Sequence, residues 1–196
     1  MTVSSVRQKI LNFDGDSRTA LPPWPMYSPF TINNVRGVSG CSTTQTIARL
    51  AGYGYLYPAA AIIEVGINDL PLYGITEATT IANIKTIIDW YQACAERVYV
   101  CSTYPTNIAT YMTGPLKDAA WANVPFLTGL NASMENVSNA IQSYCVGKPK
   151  VTFIDLRPTS SPSGELLSAY TYDGVHGTSL MNQLIIDSVM AYENNY

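Results

Sequence analysis

Short uninterrupted apolar runs recur along this chain with longer amphipathic stretches between them, and that alternation limits the folds open to it. The clearest run, 59–65, reads Ala-Ala-Ala-Ile-Ile-Glu-Val and is closed by Gly66-Ile67-Asn68-Asp69. Similar runs cover 9–13, 30–35, 98–102 and 151–156. Between them, 79–96 carries apolar residues at Ile81, Ile84, Ile87, Ile88, Tyr91 and Ala95, the 3.6-residue period of a helix lying on a sheet. Further helices are expected over 42–50, 119–145 and 180–192, the second closed by Gly147. Strands that are apolar at every position must be covered on both faces, which is the property of a parallel sheet between two helical layers. The chain is therefore predicted to be a three-layer α/β/α, doubly wound sheet of five parallel strands. A length of 196 residues suits one domain over 1–196, with no repeat or linker.

In such domains ligands bind beyond the carboxyl ends of the strands. Ser17, Gly40, Asn68 and the segment Asp173-Gly174-Val175-His176 all follow predicted strands, so four segments point at one rim. His176 is the sole histidine, and any proton transfer needing an imidazole near neutrality must use it. A serine hydroxyl becomes a nucleophile when a base takes its proton, so Ser17 would attack and His176 accept. Asp173, three residues upstream, can bond the far ring nitrogen; Asp14 and Asp16 are rival carboxylates. The Gly40 and Ser17 backbone N–H groups and the Asn68 amide could form an oxyanion hole. Each feature taken singly has a commoner reading. Asp173 to His176 would be a polar turn, Gly40 and Gly66 turn glycines, Asn68-Asp69 a loop pair, and Ser17 a capping serine.

Composition removes several classes of function. The net charge of −3 and the absence of Lys/Arg runs exclude nucleic acid and anionic membranes as expected partners. No stretch nears 18 uninterrupted apolar residues, so membrane insertion is not expected. The four cysteines, Cys41, Cys94, Cys101 and Cys145, contain no Cys-x-x-Cys pair, and with one histidine they give no metal site. They are read as buried free thiols. No cofactor is expected, since no glycine-rich phosphate loop opens a helix as a nucleotide binder would need. The N-terminus lacks a secretory signal pattern. The chain is read as soluble, either cytoplasmic or a module of a larger extracellular or virion protein, with an open oligomeric state. With only 13% charged residues against 47% hydrophobic, its surface suits neutral, hydroxyl-rich partners.

Gly15-Asp16-Ser17, Ser39-Gly40, Gly66-Ile67-Asn68-Asp69 and Asp173-Gly174-Val175-His176, in this order and spanning nearly the whole chain, resemble the four blocks of the SGNH (GDSL-type) hydrolase family. The resemblance implies a flavodoxin-like sheet and a serine esterase with Ser17, Asp173 and His176 as its triad and Ser17, Gly40 and Asn68 as its oxyanion hole. It also implies that Asp173 is the carboxylate that orients His176, leaving Asp16 to brace the nucleophile turn. Three departures stand out: Arg18 replaces a leucine, the proline-rich stretch 21–29 replaces much of the first helix, and Gly177 replaces a proline. They are read as shaping the pocket without touching a catalytic role. Trp24, Tyr27, Tyr73, Tyr104, Tyr170 and Tyr172 are expected on rim loops, where they would stack on sugar rings or cover apolar patches. The expected reaction is hydrolysis of a small acyl ester, such as O-acetyl on a glycan. The alternatives are lipase, lysophospholipase or thioesterase action on longer chains, or a non-catalytic carbohydrate-binding module.

Overall fold

The computed structural model describes residues 9–21, 24, 30, 32–53, 57–119 and 123–193. Five strands form one parallel sheet: β1 (Ile10–Gly15), β2 (Ile32–Val35), β3 (Ala60–Glu64), β4 (Arg97–Cys101) and β5 (Val151–Ile154), in the spatial order β2-β1-β3-β4-β5. This is the doubly wound arrangement expected, and its strand ends fall within one or two residues of the apolar runs. Four expected helices are present as α2 (Thr43–Leu50), α4 (Glu77–Cys94), α6 (Val124–Cys145) and α8 (Ser179–Glu193). The expected start of α6 at 119 is replaced by Asn123, whose side chain accepts from the Phe126 N–H, with Pro125 in the first turn. Positions 120–122 lie outside the described residues, as do Tyr27 and all but residues 21 and 24 of 21–29.

Four short helices had no sequence expectation: α1 (Ser17–Ala20), α3 (Asp69–Tyr73), α5 (Ile108–Thr113) and α7 (Arg157–Ser160). Each is too short to show a period. Two also carry a proline that reads as a breaker, yet Pro71 and Pro158 sit in first turns, where their missing N–H has no helical partner to lose.

Alternation along the strands divides the core. From β3 and β4, Ala61, Ile63, Val98 and Val100 pack with Ile84, Ile87, Ile88 and Tyr91 of α4 and Leu127, Met134, Val137 and Ile141 of α6. Ala60, Ile62, Tyr99 and Cys101, one position out of phase, pack with Leu11, Phe13 and Met181, Ile185 and Val189 of α8. The four cysteines are free thiols, Cys41, Cys101 and Cys145 buried and Cys94 half-buried. Among the described residues no helix is long and apolar enough to cross a membrane.

β1 departs from apolar content on its α4 side. Asp14 is fully buried there, and burial raises its pKa against the pull of Tyr91, Arg49 and the Gly15 N–H. The Tyr91 hydroxyl donates to Oδ2 at 2.7 Å, while Arg49 reaches Oδ1 at 3.1 Å. Tyr91→Phe therefore strands a buried carboxylate oxygen and should cost about 1–3 kcal/mol, read as a lower urea midpoint at unchanged slope.

Candidate active site

The turn at Ser17 begins where β1 ends, with Gly15 paired to Glu64 of β3. Gly15 has φ of +155°, and a Cβ there would lie 1.8 Å from the Glu64 carbonyl oxygen, so only glycine fits. Asp16 then caps α1, its Oδ1 accepting the Arg18 N–H at 2.9 Å, and its carboxylate also accepts the Gly66 N–H beyond β3. Ser17 is thus held as the first residue of α1. Asp16 has the bracing place expected of it.

The segment before α8 is closed just as tightly. Thr171 and Gly177 form an antiparallel bridge, the Thr171 hydroxyl donates to the His176 carbonyl at 2.8 Å, and the Gly174 N–H donates to that hydroxyl at 2.9 Å. Inside this loop Asp173 Oδ1 accepts the N–H groups of Val175 and His176 at 2.9 and 2.8 Å. Its Oδ2 stands 2.6 Å from His176 Nδ1, and His176 Nε2 stands 2.9 Å from Ser17 Oγ. Burial works against ionisation of Asp173, but the hydrogen bonds from the His176 ring and the two backbone N–H groups outweigh it and hold the carboxyl below its usual range. An ionised Asp173 accepts from Nδ1–H, which leaves Nε2 free to accept from the Ser17 hydroxyl. The line can pass a proton from serine to imidazole, with the carboxylate stabilising the imidazolium.

Gly40 and Asn68 follow β2 and β3, the strands that flank β1. Gly40 has φ of +73° and accepts the Tyr73 hydroxyl at 2.8 Å. The loop bearing it is pinned to the Ser17 turn by Val38 N–H donating to the Gly15 carbonyl at 3.2 Å. Asn68 Nδ2 donates to the Cys41 carbonyl at 3.2 Å, which joins the two loops and leaves its second amide N–H to donate elsewhere.

Sequence reasoning missed three residues that hold these loops. Asp69 is fully buried and gathers α2, α3 and α4. It accepts the Thr43 N–H at 2.8 Å, the Thr43 hydroxyl at 2.5 Å and the Thr80 hydroxyl at 2.8 Å. Arg18 and Glu64 meet beneath the serine, 3.5 Å apart and both buried. Glu64 was findable, since a lone charge in an apolar strand run requires a partner. The aromatic expectations divide. Trp24, half-buried, stacks on Phe13 with centroids 4.2 Å apart, donates to the Thr19 carbonyl and packs against the core, and Tyr104 is buried within it. Their ring area is better removed from water than left on a rim. Tyr170 is half-buried and packs against the α8 side of the core, whereas Tyr73 is exposed. Tyr172 is 58% exposed and lies nearly parallel to the His176 ring, with centroids 5.8 Å apart. Gly177 also finds a reason: a Cβ there would press on Met181 at 3.1 Å and on the Tyr104 hydroxyl at 3.4 Å.

Beside Ser17 and His176 opens a cavity of about 220 Å³, walled by Leu21, Tyr172, Thr178, Ser179 and Asn182. Its walls mix an aromatic face and the aliphatic Leu21 with small polar side chains.

Burial and the neighbouring Asp16 carboxylate push the Glu64 carboxyl up to about 8 from 4.5, against the pull of Arg18. A raised carboxyl binds its proton more tightly in the folded chain. Its contribution is fully present below pH 4.5 and is lost as pH rises through 8. Urea midpoints should fall between pH 5 and 8.5, and Glu64→Gln should flatten that fall; an identical slope in the variant would contradict the assignment.

A family model for the GDSL-like Lipase/Acylhydrolase family matches residues 15–184. Among curated proteins no sequence matches. Solved structures share the fold. A lipase/acylhydrolase from Enterococcus faecalis has a TM-score of 0.68 at 17% identity, covering 94% of this chain and 95% of its own. A GDSL-like lipase from Bacteroides thetaiotaomicron gives 0.63 at 24%, covering 94% and 89%. A carbohydrate esterase family 3 protein from Talaromyces cellulolyticus gives 0.65 at 18%, covering 96% and 97%.

Proposed function

This chain belongs to the GDSL-like Lipase/Acylhydrolase family and is an ester-bond hydrolase, and we propose that it removes small acyl groups, acetyl foremost, from a carbohydrate. In this reading Ser17 is the nucleophile, His176 the base and Asp173 its orienting carboxylate. Ser17 Oγ adds to the ester carbonyl carbon while its proton passes to His176 Nε2. The oxyanion is met by the Gly40 and Ser17 N–H groups and by the free amide N–H of Asn68. Collapse breaks the bond to the alcohol oxygen, which takes the proton from His176, and water then releases the acyl group by the same steps in reverse order.

The observation that carries the carbohydrate part is the position of the cavity. The leaving alcohol must receive its proton from His176, so it lies on the histidine side of Ser17, where Tyr172 presents an open aromatic face beside Thr178, Ser179 and Asn182. A ring with hydroxyls on its edge and C–H groups on its face suits that wall. The likeness in fold to a carbohydrate esterase supports the same reading.

Two measurements test it. Across p-nitrophenyl esters of increasing acyl length, kcat/KM should peak at acetyl; a peak at long acyl chains would replace this reading with lipase or thioesterase action. Replacing Ser17 by alanine should lower kcat by about 10⁶, and Asn68→Ala by about 10²–10³. Near-native turnover in both variants would remove the residue assignment.

A further inference from the structure

Arg18 stands next to the nucleophile in sequence and beneath the histidine in space. Its guanidinium is buried, and its donors go to different loops. Nε donates to the Val175 carbonyl at 3.1 Å, Nη1 donates to the Tyr104 carbonyl at 2.8 Å, and Nη1 also faces Glu64 Oε1 at 3.5 Å. The guanidinium carbon lies over the Tyr104 ring, 3.8 Å from its centroid. One side chain thus links α1, the end of β3, the loop after β4 and the segment holding His176. The Val175 carbonyl belongs to the peptide that leads directly into His176, so its position sets where the imidazole stands.

We propose that Arg18, braced by Glu64 and Tyr104, is a positioning residue that fixes His176 opposite Ser17. The proposal rests on His176 being the base. A planar fork with fixed donor directions is what this place requires. Lysine has the charge but one nitrogen, so it cannot bond the Val175 and Tyr104 carbonyls in the directions the fork provides while covering the ring. The departure of Arg18 from the family's usual leucine therefore does bear on the catalytic geometry, contrary to the sequence expectation. The cost is a buried cation, offset by the nearby Asp16 carboxylate and by the hydrogen bonds to Glu64, Tyr104 and Val175. Displacing a reacting group by about 1 Å can cost on the order of 10² in rate, so a modest shift of this loop suffices for a large effect on turnover.

The sole histidine makes the test direct, because in protein labelled with ¹⁵N-histidine, with any tag removed, His176 gives the only imidazole signals. Arg18→Lys and Arg18→Met are compared with wild type, kcat being normalised to the active fraction by titration with a fluorophosphonate, and with His176→Ala at equal concentration of folded protein. The expected result is a kcat lowered about 10- to 100-fold with KM within about twofold, together with broadening or faster exchange of the Nδ1–H resonance in both Arg18 variants. A kcat within twofold of wild type and an unchanged Nδ1–H signal in Arg18→Lys would overturn the proposal, as would a loss of activity that disappears once kcat is normalised to the active fraction. Failure of the underlying reading looks different, since His176→Ala itself would then keep near-native turnover.

Discussion

Parallel pairing of β1 with β2 and β3 is the constraint on which the site depends. Parallel strands send their following loops to the same edge, and a strand in the interior of the sheet has a neighbour's loop on each side. With β1 between β2 and β3, the turn at Ser17 is flanked by the loop of Gly40 and the loop of Asn68. The register carries this to single residues. Gly15 pairs with Glu64, so the turn at Ser17 begins where β3 ends, and the same contact that excludes a Cβ at Gly15 brings Glu64 close to that turn. The His176 segment arrives from the far end of the chain, and long-range bonds to it, such as that from Arg18, bring it to the same edge.

Charge is spent inside the molecule to hold those loops. Asp14, Asp16, Arg18, Glu64 and Asp69 are all buried, and an unpaired buried charge would cost several kcal/mol. All but Glu64, which Arg18 meets, have hydrogen bonds with more than one element. Asp14 joins β1 to α2 and α4, Asp16 joins α1 to the loop after β3, and Asp69 joins α2 to α4. Apolar contacts could fill the same volume, but they have no direction. A site whose atoms must stand within a few tenths of an ångström needs directed bonds, and these carboxylates provide them.

Much of the sheet was readable from the chain because strands buried on both faces leave uninterrupted apolar runs, as at 59–65. The long helices showed for a related reason: α4 places Ile84, Ile87, Ile88 and Tyr91 on one side. Ser17, Gly40, Asn68, Asp173 and His176 were visible through their order and their place after strands. Short helices were not, since four or five residues such as those of α1 and α7 contain too little periodicity to register. Aromatic placement was also beyond reach. Trp24 and Tyr172 both lie in loops, and nothing local distinguishes a ring that stacks on Phe13 from one that faces solvent over His176. Arg18 was seen only as a mismatch, because its role comes from Val175 and Tyr104, which are remote in sequence.

The central claim is that Ser17 is activated by His176, and the most direct measurement is covalent capture. The protein would be incubated with a serine-directed fluorophosphonate and the adduct mapped by peptide mass spectrometry, in wild type and in His176→Ala. The account predicts a single adduct on Ser17 in wild type and labelling slowed by orders of magnitude without the imidazole. An adduct on another serine, or equal labelling rates in the two proteins, would contradict it.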